Sequence, residues 1–151
     1  MNKIIAGIDI GSNGACCVRT INGTFKVYKP EKYGVLFRVF QKYKDKTIIY
    51  IEKLHAFPGM SSRSLWAMSE NQGIIIGMLD TLGLNDNAVW VPSQRWQKPL
   101  NLPKKQEYKQ RKTNLHMKAM ELFPDEKLFK YNADAYLICD FGCKEEIKKN
   151  E

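Results

Sequence analysis

The spacing of apolar positions changes several times along the chain, and each change marks an element. Residues 3 to 10, KIIAGIDI, are apolar on both faces apart from Asp9, the pattern of a strand buried inside a sheet. GSNG then reads as a tight turn. ACCVRTI and TFKVYKP follow as strands joined through Asn22-Gly23, a hairpin dipeptide, so the chain should open with a three-stranded antiparallel meander. Leu36, Val39, Phe40 and Tyr43 fall at helical spacing and predict a helix over 31–44. TIIYIEK, 47–53, returns to the strand pattern and is again apolar on both faces until Glu52. HAFPGMSS reads as a loop. Over 63–82, Leu65, Met68, Gln72, Ile76, Leu79 and Leu82 keep a helical period, and Gly83 stops it. AVWVP, 88–92, is a short strand. PSQRWQKPLNLPKK, broken by Pro92, Pro99 and Pro103, reads as a loop. A helix over 106–123 carries Leu115, Ala119 and Leu122 on one face and ends at Pro124. A last helix spans 132–147 with Asn132 as its N-cap. The order is βββ-α-β-α-β-α-α with no repeat and no linker, which predicts one domain over 1–151.

Composition narrows the class. A chain of 151 residues with 44% hydrophobic content suits one globular core. No apolar run reaches the roughly 18 residues of a membrane-spanning helix. The N-terminus lacks a signal-cleavage pattern, so a cytoplasmic protein without a membrane partner is expected. The net charge of +8 favours a polyanionic partner, nucleic acid above membrane. Cys16 and Cys17 should face opposite sides of a strand, and Cys139 and Cys143 lie one helical turn apart. Without CxxC spacing these read as buried free thiols rather than zinc ligands.

Asp9 and Glu52 change the picture. Each ends a strand that should be buried, where a carboxylate is costly unless paired or metal-bound. Asp134 sits at the start of the last helix, in NADAYLICD, where the helix dipole favours an acid. Singly, Asp9 reads as a turn residue, Glu52 as a strand-end charge reaching solvent and Asp134 as a helix-start acid. Together they point to a metal-binding carboxylate cluster. A phosphodiester repels hydroxide, and two Mg²⁺ ions about 4 Å apart can activate water and stabilise the leaving oxygen. Asp and Glu supply the hard oxygens that Mg²⁺ prefers.

These acids, the element order and the stretches GIDIGSNGA, YIEKLHAFPGMSS, NQGIIIGML, VWVPSQRWQKPLNL, KAMELFP and ADAYLI, taken in sequence, resemble the RuvC family of Holliday junction resolvases, in its bacteriophage branch. The resemblance covers most of the chain. It implies an α/β, RNase H-like (RuvC-type) fold: a mixed five-stranded sheet flanked by helices. It further implies a homodimeric endonuclease that needs Mg²⁺ (with Mn²⁺ as a substitute) and cuts four-way junctions and other branched DNA, in the host cytoplasm if phage-encoded. Asp9, Glu52 and Asp134 match the family's metal-binding acids. The loop after Glu52 matches the region that enters the junction, and the 63–82 helix matches the dimer helix, giving Gly73 and Gly77 a use in close packing. The chain departs from the family before the last helix. A fourth acidic or His ligand is usual there, but the residues are Phe129, Lys130, Tyr131 and Asn132, so Asn132 or water takes that place. Asp140 lies about 600° further round a helix than Asp134 and faces elsewhere.

A basic segment follows from Arg95: Lys98, Lys104, Lys105, Lys109, Arg111, Lys112 and Lys118, opposed only by Glu107 up to Lys118 and interleaved with Trp96 and Tyr108. Lys105, Lys109 and Lys112 share one face of the expected helix. DNA backbone contact, with a steep salt dependence, is the reading. Phe57, in the loop with His55 and Met60, either wedges against an unstacked base or anchors the loop on the core. Trp66 and Trp90 read as core or interface residues. Rival readings are a junction-binding protein without catalysis, an RNase H-type enzyme cutting RNA in hybrids, and an actin- or sugar-kinase-like ATP-binding domain suggested by DIGSNGA.

Overall fold

In the computed structural model, which describes residues 2–151, five strands form one sheet. They are β1 (Ile4–Asp9), β2 (Ala15–Arg19), β3 (Phe25–Tyr28), β4 (Thr47–Lys53) and β5 (Ala88–Pro92), in spatial order β3-β2-β1-β4-β5. The first three make the antiparallel meander, while β4 and β5 run parallel to β1. The sheet is therefore mixed, as expected.

Helices cover both faces. On one side α1 (Tyr33–Lys42) and α2 (Ser62–Leu82) pack over Ile4, Ala6, Ile8, Ile49 and Ile51. On the other, α3 (Ser93–Gln97), α4 (Tyr108–Leu122) and α5 (Ala133–Lys148) pack over Ile5, Cys17, Tyr50 and Val91. Burial on both faces explains why β1 and β4 lack polar alternation. Cys16 and Cys17 enter opposite cores, and all four cysteines are free and buried. Helix α5 lies almost on the backbone of β1. A Cβ at Gly7 would sit 2.2 Å from the backbone nitrogen of Cys139, so only glycine permits this approach. No helix among the described residues is long and apolar enough to cross a membrane.

Four local expectations are corrected. Helix α2 buries Met68, Asn71, Ile75, Met78, Leu79 and Leu82 and leaves Leu65 and Ile76 each 39% exposed. Its apolar residues encircle the helix, so their period alone does not choose the inner face. The expected loop after β5 contains α3, which buries Trp96. Helix α4 begins at Tyr108, so Lys105 precedes it and shares no helical face with Lys109 and Lys112. Asn132 stands at the start of α5 without capping it: its Oδ1 accepts from the Phe129 N–H at 2.8 Å and its Nδ2 donates to the Lys127 carbonyl at 3.2 Å.

Candidate active site

Parallel register brings the first two acids level. Ile8 lies beside Ile51, so the next residues, Asp9 and Glu52, end neighbouring strands at the same edge. Strand alternation turns both toward the face that carries α3, α4 and α5. Asp134, in the first turn of α5, reaches the same place because α5 crosses β1 at Gly7. The three acids line one pocket of about 380 Å³, together with Ser12, Phe57, Ser93, Gln97, Tyr108, Arg111 and Lys112.

Each acid is held through one oxygen. Asp9 Oδ1 accepts from the Gly11 N–H at 2.9 Å, within the turn that Gly14 closes by donating to the Gly11 carbonyl at 2.8 Å. A Cβ at Gly14 would fall 2.1 Å from the Asp9 carbonyl, so this turn requires glycine. From α2, buried Asn71 donates to the same Gly11 carbonyl at 3.2 Å and ties the turn down. Glu52 Oε1 accepts from Ser93 Oγ at 2.8 Å and from the Trp96 indole at 3.3 Å, both on α3. Asp134 Oδ2 is ion-paired with Lys112, and its Oδ1 is buried without a partner. Among the described residues no protein donor holds Asp9 Oδ2 or Glu52 Oε2 either. The second oxygens are thus the ones that could take a cation.

Charge in the pocket is poorly balanced. Glu52 is pushed up to about 7 by burial first, then by Asp9 and Asp134, with the Ser93 hydrogen bond and Lys112 opposing. Asp134 is also raised, by burial and by Asp9, against the pull of Lys112. Burial alone would lower Lys112, but Asp134 and Asp9 hold its ammonium well above the ordinary lysine value. Carboxylates shifted by burial and by one another in a cleft make this pocket a candidate site for chemistry. Among the described residues, however, no three acidic, His or Cys side chains converge closely enough to form a ready-made metal cage.

The basic segment divides into three groups. Lys98, Lys104, Lys105 and Lys109 are exposed and have no carboxylate partner among the described residues. Arg95 pairs with Glu145 at 2.9 Å and Lys118 with Glu121 at 2.8 Å, so part of their charge is spent internally. Arg111 and Lys112 turn into the pocket, where Arg111 Nε donates to Gln97 Oε1 at 2.8 Å. Trp96 is buried and bonded to Glu52, so it is a positioning residue rather than a surface contact. Sequence reasoning missed this role, although an aromatic amid prolines is a signal of local packing. Tyr108 is 70% exposed at the pocket wall, and Phe57 is 58% exposed at its rim instead of anchoring the loop. Asn132 does not line the pocket, and both ends of its amide serve the 127–129 backbone. On the outer side of α2, Gly73 and Gly77 have nothing within 4 Å of a built Cβ. Trp66, 75% exposed, continues their line, with Ile74 and Ile76 on either side.

No family sequence profile and no curated protein sequence matches this chain. Solved structures do. The structure of Thermus thermophilus RuvC in complex with a Holliday junction substrate superposes with a TM-score of 0.65 at 12% identity, covering 97% of this chain and 96% of that one. A further structure of Thermus thermophilus RuvC gives 0.60 at 13% identity, covering 95% and 96%.

This chain has the RuvC fold. The mixed five-stranded sheet and its flanking helices match RuvC nearly end to end, which bears out the RNase H-like architecture expected from sequence. At such low identity RuvC is a guide to the fold, while the chemistry must be argued from the pocket.

Proposed function

We propose that this chain is a divalent-metal-dependent endonuclease that resolves four-way DNA junctions and cuts other branched DNA. One observation carries the reading: Asp9, Glu52 and Asp134 share a basic-walled pocket in which each keeps one oxygen free of protein donors. Of these, Asp134 Oδ1 is buried as well as unpartnered, where an acid with a purely structural role would have its oxygen satisfied. That a RuvC structure of the same fold holds a Holliday junction substrate supports branched DNA as the substrate.

The donor set fits Mg²⁺, with Mn²⁺ as a substitute: it offers hard carboxylate oxygens, including the unpartnered Asp134 Oδ1. Asp9, Glu52 and Asp134 would hold the metal. When bound, it supplies Lewis-acid polarisation of the phosphate and a water acidic enough to act as nucleophile at neutral pH. The protein does the rest. Gly11 and α3 fix the orientation of Asp9 and Glu52. Lys98, Lys104, Lys105 and Lys109 bind backbone phosphates without reading sequence. Phe57 stands at the pocket rim, free to press against an unstacked base. With water as the nucleophile, hydrolysis would leave no covalent intermediate. Two copies joined along Trp66, Gly73 and Gly77 would present paired pockets to opposing strands. A binding protein without catalysis is the second reading, favoured by the absence of a fourth acid before α5.

The test is cleavage of an end-labelled four-way junction, a fork and a linear duplex, each with Mg²⁺ and with EDTA. Metal-dependent paired nicks in opposing junction strands are expected. Tight binding without any cut would replace the nuclease reading with the binding one.

A further inference from the structure

The pocket contains its own cation. Lys112 extends from the second turn of α4 and pairs with Asp134 Oδ2, and Asp134 is only 4% exposed. The same ammonium lies 6.0 Å from the centre of the Tyr108 ring, one helical turn back on α4 and open to solvent. Lys112 therefore has an inner partner and an outer one within reach of one flexible side chain. Just ahead of α5, where a fourth acid would add negative charge, the residues are Phe129, Lys130, Tyr131 and Asn132. Asn132 is committed to the backbone. Arg111 is held by Gln97, which leaves Lys112 as the cation bonded to the acids.

We propose that Lys112 is a resident counter-cation that competes with metal for Asp134: it occupies the carboxylate in the metal-free protein and leaves for the Tyr108 side of the pocket when metal loads. This rests on the metal-dependent reading above. Burial makes the pairing necessary, because an uncompensated third carboxylate in this pocket would be costly. With this pairing in place, the acids do not form a closed metal cage among the described residues. Released, the ammonium stands at the pocket mouth, where an incoming phosphate would meet it.

Mn²⁺ alone, titrated into DNA-free protein and followed by the electron paramagnetic resonance signal of the free ion, tests this. Lys112→Gln should bind Mn²⁺ about tenfold more tightly than the unaltered chain. Lys109→Gln removes the same charge from the same helix without touching Asp134, and should change affinity less than about twofold. Lys112→Arg keeps a cation on Asp134 and should bind no more tightly than the unaltered chain, which guards against a misfolded glutamine variant. In parallel, acylation of the Lys112 amine, read by mass spectrometry, should rise severalfold on adding Mn²⁺. Equal Mn²⁺ affinity for Lys112→Gln and the unaltered chain, with unchanged Lys112 reactivity, would overturn the competition while leaving the nuclease reading intact. No Mn²⁺ binding by any variant would overturn both.

Discussion

Two buried acids on the same face of the sheet have opposite surroundings. Glu146, on α5, is 2% exposed and receives hydrogen bonds from Lys3 and Tyr50 at 3.0 Å and from Lys149 at 2.6 Å. Glu52 lies two residues beyond Tyr50 on β4 and is 5% exposed, yet only neutral donors, Ser93 and Trp96, bond to it. Burial works against the charge at Glu146, but Lys149, Lys3 and Tyr50 overcome it and hold the carboxyl below its usual range. At Glu52 burial and two neighbouring acids win, and the carboxyl is pushed up to about 7. The fold neutralises the first acid and leaves the second short of positive charge at the sheet edge, which is the contrast that the proposed metal-binding role of Glu52 requires.

The largest effect should come from Glu52→Gln. If Glu52 holds metal as proposed, junction cleavage should fall roughly a thousandfold or more, measured by single-turnover kinetics. The same change should raise the melting temperature of the metal-free protein, because it relieves repulsion among the acids. Glu146→Gln should do the reverse. It leaves lysine and tyrosine groups unmatched, with a stability loss of about 1–3 kcal/mol in urea unfolding, and it should leave the cleavage rate per folded molecule unchanged.

The pH dependence should differ in sign. Glu52 has a folded value near 7 against an ordinary 4.5, so its contribution to stability is present below about pH 4.5 and lost as pH rises through 7. Metal-free protein should melt at lower temperature at pH 8 than at pH 5, and Mg²⁺ should cancel that decline. Glu146, with its lowered value, contributes above the ordinary glutamate range and loses that contribution as pH falls through its folded value. Glu52→Gln should flatten the neutral limb of a plot of melting temperature against pH, and Glu146→Gln the acid limb. If both variants flatten the same limb, the contrast between the two acids fails.

Smaller effects sharpen the picture. Trp96→Phe keeps the buried ring but removes the indole donor to Glu52, and should slow cleavage about tenfold with little change in junction affinity. Lys105→Glu with Lys109→Glu should weaken junction binding and reduce the slope of log affinity against log salt by about two, at roughly 0.9 per phosphate contact. An unreduced slope would remove these lysines from the DNA surface.

The acids at the strand ends were legible in the sequence because burial on both faces of β1 and β4 makes Asp9 and Glu52 conspicuous. Element order was legible for the same reason, since each period change marks a boundary. The inner face of α2 was not, because Leu65, Ile74, Ile75 and Ile76 surround the axis and its rotation is set by tertiary packing of Met68, Ile75, Met78 and Leu79 together with the Asn71 hydrogen bond. The partners of Trp96 and Lys112, Glu52 and Asp134, were not legible because they are distant in sequence and adjacent only once the sheet closes. A charged residue on a helix carries no local mark of whether it faces solvent or a buried acid. Asn132 looked like a cap or a ligand, and its use by the Phe129 N–H and the Lys127 carbonyl is a property of the loop conformation.

The most direct measurement is Mg²⁺-dependent cleavage of a four-way junction by Asp9→Asn beside Glu146→Gln and the unaltered chain, with junction binding followed in the same samples. Paired nicks from the unaltered chain and from Glu146→Gln, with Asp9→Asn binding the junction as well or better without cutting it, are expected. Cleavage by Asp9→Asn at the unaltered rate would contradict the assignment of this pocket as the nuclease centre.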